Sequence, residues 1–149
     1  QKQQKSAFDL ALNLDSPIST GLPFNALVIP PVEKAPKTVL VNFGVDPHAL
    51  SFEKQADGLE HAQVECTVQV FSSKGKPVGG KLTTMNAALK PETFARMMAS
   101  TFPCQQAIDL EPGNYVLRLG VRDGRTGLIG TTNAKLAVAS AASPQEKKP

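Results

Sequence analysis

The chain has no tryptophan, one tyrosine and only two cysteines among its 149 residues. With seven Phe as the only other large rings, aliphatic side chains must fill most of any core. The scarcity of rings also works against a carbohydrate platform, which normally presents exposed aromatic faces. Long apolar runs are missing as well. The longest, Ala26 to Val32, contains two prolines and falls far short of the roughly 18 residues of a membrane-spanning helix. Charge is sparse and mixed: 19% of residues are charged, the net charge is +3, and the basic residues are scattered, which argues against a nucleic-acid partner. What is present is 41% hydrophobic residues, too many for a disordered chain. A chain of this length favours one domain able to bury roughly 70% of its unfolded surface.

The chain opens on Gln1 rather than Met, which reads as a processed product or an excised piece. Nothing before Ser16 has the basic start, apolar stretch and small-residue cleavage site of a signal peptide. Residues 1–21 read as a leader. Within it Phe8, Leu10, Ala11 and Leu14 have helix-like spacing, so Ala7 to Leu14 is expected to form a short amphipathic helix ended by Pro17. The polar QKQQK before it is expected to fray. A loose linker is the alternative.

From Leu22 onward, short apolar runs alternate with Pro, Gly and Asp punctuation, and residues 22–139 read as one domain. Phe24 to Val32 is predicted as a strand confined to a sheet edge by Pro30-Pro31. Lys37 to Asp46 alternates with period two, and Ala49 to Phe52 is a short return. His61 to Ser72 is the clearest strand, with Ala62, Val64, Cys66, Val68 and Val70 on a dry face and Gln63, Glu65, Thr67 and Gln69 on a wet one. A turn at Lys74-Gly75 leads into a weaker strand, Val78 to Ala87. Pro91 to Ser100 places Phe94, Met97 and Met98 on one helical face. Strands Phe102 to Leu110, Tyr115 to Asp123 and Leu128 to Val138 complete the set, and the polar tail 140–149 is expected to be disordered. Strands at this spacing predict an all-β fold, an immunoglobulin-like antiparallel β-sandwich with one or two short peripheral helices.

Three motifs have a physical reading. Leu110, Pro112, Gly113 and Tyr115 resemble a tyrosine corner, in which the phenol reaches back to a backbone group and fixes the crossing between sheets. In the hairpin Val121 to Gly130, Asp123 and Thr126 can bond turn amides. Arg118 and Arg122 are expected on the solvent face of their strand with Gly120 between them, where they either grip an anion or pair with strand carboxylates. Catalytic constellations are thin. His48 and His61 lack zinc spacing, neither cysteine lies in a CxxC, and there is no GxSxG or phosphate-binding glycine loop. Asp15-Ser16-Pro17-Ile18-Ser19 has the wrong serine spacing for a DxSxS metal site and no strand before it. No catalytic residue, cofactor or metal site is predicted. Cys66 and Cys104 allow at most one internal disulfide, and two buried free thiols are the alternative.

The span from Ser16 to Val138 resembles the C-terminal β-sandwich region of VWFA-related (von Willebrand factor A-related) acidobacterial proteins. The residues that carry the likeness are SPIS-x-x-LPF at Ser16 to Phe24, VDPHALSF at Val45 to Phe52, KGKPV at Lys74 to Val78 and LKPETF at Leu89 to Phe94. The most specific piece is L-x-PG-x-Y-x-LRL-x-VRD-x-x-TG-x-IG from Leu110 to Gly130. The A-type domain of those proteins, with its metal-dependent adhesion site, is missing here, so the resemblance implies no cation-dependent adhesion. It does imply an extracellular or cell-envelope setting. Cys104 replaces an aromatic residue of that pattern, and pairing with Cys66 across the sheets is expected to take the place of ring packing.

The function expected from these readings is a non-catalytic extracellular module for structure or protein interaction. Its partner is another protein or a second copy, engaged through edge strands or through the stripe Phe8, Leu10, Ala11 and Leu14. A carbohydrate- or anion-binding module using Arg118 and Arg122 is the rival, although a small-molecule ligand is disfavoured.

Overall fold

The structure, a computed structural model, describes the chain from residue 2 to residue 139, with side chains described from residue 7 onward. The protein is an antiparallel β-sandwich of the immunoglobulin-like type, with two short helices among the described residues. Its elements are α1 (Lys2–Ala11), β1 (Phe24–Ile29), β2 (Thr38–Val45), a 3₁₀ turn (Pro47–Ala49), β3 (Glu53–Lys54), β4 (Glu60–Ser72), β5 (Pro77–Leu89), α2 (Pro91–Met98), β6 (Phe102–Asp109), β7 (Gly113–Asp123) and β8 (Ile129–Val138). One sheet runs β1-β2-β6. The other runs β5-β4-β7-β8, with the two-residue β3 also on β4, on the side away from β5. Every pairing is antiparallel.

Period-two patterning explains why the sheets face each other. In β2, Val39, Val41, Phe43 and Val45 are buried and their neighbours are not. Val64, Cys66, Val68 and Val70 of β4 and Leu117, Leu119 and Val121 of β7 meet them from the opposite sheet. Each fully buried Val or Leu contributes roughly 1.5–3 kcal/mol, so this layer dominates the stability. Phe94 of α2 packs edge-on against Phe52 with ring centroids 5.0 Å apart, which fixes that half-buried helix to the end of the sandwich.

Three of the differences from the expected boundaries have a clear physical cause. β1 ends at Ile29 because Pro30 and Pro31 cannot continue the ladder. The return expected at Ala49 to Phe52 is instead the 3₁₀ turn, initiated by Asp46, whose carboxylate accepts the His48 amide at 3.0 Å, and followed by β3. β5 is longer than expected, because β4 offers it a partner along nearly all of its thirteen residues.

The leader is the larger correction. α1 starts at Lys2, so residues 2–5 of the segment expected to fray are helical, and it ends at Ala11, well before Pro17. The buried stripe is Phe8 and Leu12, an i,i+4 pair, while Leu10 is 63% exposed and Ala11 and Leu14 are half-buried. After the helix the chain runs along β8: the Thr131 amide donates to the Ser19 carbonyl and the Leu22 amide to the Ile129 carbonyl, both at 2.9 Å. Leu22, fully buried, then turns the chain into β1. The tail 140–149 lies outside the described residues.

Candidate functional site

The outer face of the larger sheet is where the structure departs most from the sequence reading. Gly120 lies at the centre of β7, and the bare backbone there lets the leader approach. A Cβ at this position would stand 2.7 Å from a Leu12 methyl and 3.2 Å from the Phe8 ring. Arg118, two residues before it, is fully buried rather than on a solvent face. Its Nε donates to the Ala11 carbonyl at 3.0 Å, and Nη2 donates to the Ser16 and Pro17 carbonyls at 2.8 and 2.9 Å. Nη1 donates to Asn133 Oδ1 at 3.0 Å. The guanidinium thus caps the C-terminal end of α1, where helix carbonyls lack partners and a cation is favoured. Burial lowers its pKa from the ordinary arginine value.

Arg122 is also covered, at 5% exposure, and its Nη1 is 2.8 Å from Glu65 Oε1 in a buried ion pair. The face of β4 expected to be wet is therefore dry at its middle, where Glu65 and Thr67 are both buried. Both arginines offered for an anion hold groups of their own chain. Sequence gave no sign of the three backbone carbonyls that engage Arg118, because they belong to the main chain of a segment far away in sequence.

The corner between β6 and β7 is built from Leu110, Pro112, Gly113 and Tyr115. Leu110 is buried, Gly113 adopts a φ of 156°, and the Tyr115 hydroxyl donates to the Glu111 carbonyl at 2.6 Å. In the next turn Asp123, buried, accepts the Arg125 amide at 2.8 Å and the Ser51 amide at 2.7 Å. The second of these ties the β7–β8 hairpin to the segment before β3, a link with no signature in local sequence. The two histidines face acids within turns: His48 Nδ1 lies 3.3 Å from Asp46, and His61 Nε2 lies 2.9 Å from Asp57. The Leu59 amide, and then His61, hold the Asp57 carboxyl below its ordinary value. Among the described residues no group of three or more His, Cys, Asp or Glu is placed to hold a metal ion.

Cys66 and Cys104 come from β4 and β6, in opposite sheets, and both are buried free thiols. They lie in one buried cluster, but the crosslink expected between them is not formed. Beside them the Gln106 side chain donates to the Cys66 carbonyl at 2.5 Å across the core.

The remaining candidate surface is the edge formed by β5, which pairs only with β4 among the described residues. Its stretch Leu82 to Leu89, LTTMNAAL, carries neither charge nor proline. Leu82 and Val78 are about half exposed, at 47% and 53%. The single charge on the strand, Lys81, turns back to donate to the Ala107 carbonyl at 3.0 Å. No helix among the described residues is long and apolar enough to cross a membrane. The chain matches no protein-family model and no curated protein.

Proposed function

We propose that the protein is a non-catalytic β-sandwich module of the extracellular space or cell envelope, serving in structure and protein interaction, and that it associates with a second copy of itself through β5. The observation that carries this reading is the edge of β5, which pairs with no strand beyond β4 among the described residues. Sheet edges in proteins that stay monomeric are normally blunted by charge, proline or short length, because their unpaired amides and carbonyls recruit other strands. Over Leu82 to Leu89, β5 has none of these. The strand is also self-complementary. Antiparallel pairing centred on Thr84 sets Leu82 opposite Asn86 and Lys81 opposite Ala87, so no like charges meet. The product is one continuous sheet across two sandwiches.

The leader is the weaker donor, since α1 already covers its own sheet through Phe8, Leu12 and Arg118. The extracytoplasmic setting is supported by the likeness of the closing hairpin, Leu110 to Gly130, to VWFA-related proteins. Solution mass over a wide concentration range, with electron microscopy of the same samples, tests the assembly. The expected result is a mass that rises with concentration in the wild type and stays monomeric in Thr84→Lys, where two lysines would face each other across the pairing axis. A wild type that remains monomeric at every concentration overturns the reading.

A further inference from the structure

Cys66 is fully buried, whereas Cys104, at 4% exposure, lines a cleft of about 490 Å³ with Phe43, Met85, Pro103 and Gln105. Met85 belongs to β5 and Cys104 to β6, so the cleft opens where the edges of the two sheets come together. The two thiols therefore differ in access while belonging to one buried cluster between the sheets. We propose that they form a modification site for small disulfides of the glutathione type, with Cys104 as the attacking thiol and Cys66 as the resolving one. This inference stands apart from self-association through β5.

The chemistry balances without another reagent. Cys104 loses its proton to water and its thiolate attacks one sulfur of the small disulfide. A mixed disulfide forms on Cys104, and the first small thiolate leaves and takes up a proton. Cys66 then loses its proton and attacks the Cys104 sulfur, closing a disulfide between the sheets and expelling the second small thiol. Two protein thiols are oxidised and one disulfide is reduced to two thiols. The order follows from access, since only Cys104 lines the cleft. Electrostatics act in the same sense. The neighbouring Cys66 holds the Cys104 thiol below its ordinary range, while Cys104 and burial push the Cys66 thiol up. The buried amide of Gln106, bonded to the Cys66 carbonyl, holds β4 against β6 at the point where the bridge would close.

The test incubates the folded, reduced chain with oxidised glutathione, quenches with acid and reads intact mass. The wild type is expected to lose two hydrogens without accumulating an adduct. Cys66→Ser is expected to retain one glutathione, mapped to Cys104, and Cys104→Ser to react about tenfold more slowly or not at all. A wild type that stays dithiol, a wild-type adduct that never closes, or a Cys104→Ser variant as fast as Cys66→Ser overturns the proposal. Because either substitution touches the core, the wild-type rate is also followed in urea below the unfolding transition. A rate independent of urea there supports access through the cleft. A rate that climbs with the unfolded fraction places the reaction in the unfolded chain and overturns the assignment.

Discussion

Arg118→Met removes the group that fixes the leader while keeping an unbranched apolar stem in its place. Four hydrogen bonds are lost, to the carbonyls of Ala11, Ser16 and Pro17 and to the side chain of Asn133. At about 1 kcal/mol net for each bond, the loss is roughly 4 kcal/mol. Against it stands the desolvation of a buried cation, which the substitution relieves, and the orphaned carbonyls lie near enough to the surface to recover water. These offsets are on the order of 1–2 kcal/mol, which leaves a destabilisation of about 2–3 kcal/mol. The loss is localised, because the leader can undock while the two sheets stay packed. The assay is urea unfolding followed by far-ultraviolet circular dichroism, with amide hydrogen exchange on the same variant. A leader clamped by Arg118 should lose protection in α1 and the following turn, while β4 and β7 keep theirs and the midpoint falls. Arg118→Lys should fall between wild type and Met, since an ammonium keeps the charge but loses the planar fork. A Met variant within about 0.5 kcal/mol of wild type, with α1 still protected, would refute the clamp.

Tyr115→Phe deletes the 2.6 Å bond to the Glu111 carbonyl and should cost about 1 kcal/mol in urea unfolding without altering the circular dichroism spectrum. Closing the Cys66–Cys104 disulfide joins a loop of about 39 residues, for which chain entropy gives roughly 4 kcal/mol, so the oxidised chain should unfold at markedly higher urea than the reduced one. An unchanged midpoint would mean that strain in the bridged sheets cancels that gain. The Asp57 carboxyl is depressed in the folded state, so its contribution is present above the ordinary carboxylate pKa and fades as pH falls through the lowered value. A nuclear magnetic resonance titration of the Leu59 amide should report that midpoint below the ordinary carboxylate pKa, and Asp57→Asn should remove the inflection.

The sandwich was legible because its inward faces alternate so regularly: Val39, Val41, Phe43 and Val45 in β2, and Ala62 to Val70 in β4, can satisfy only a buried face with period two. The outer face was not legible for the complementary reason. Glu65 and Thr67 are polar, and periodicity reports side-chain type rather than what another segment lays over it. Gly120 was the one hint, a strand glycine whose missing side chain admits Phe8 and Leu12. The helical stripe was misplaced because Leu10 and Leu12 are equally apolar, and only docking decides which of them is covered. Arg118 shows the same limit in reverse, a charged residue buried by main-chain acceptors that carry no letter of their own. Cysteine spacing is the same for a bond and for two thiols, and the free pair is visible only in the folded structure. β5 reads as the weaker strand in sequence, yet β4 pairs with it along nearly its whole length.

Hydrogen exchange of β5 at two protein concentrations, read beside solution mass, tests association through this edge most directly. Dilute protein should be monomeric, with the amides of Leu82 to Leu89 that point away from β4 exchanging freely. Concentrated protein should show a doubled mass and new protection confined to those amides. A doubled mass with β5 exchange unchanged, or a mass that never doubles, would contradict the account.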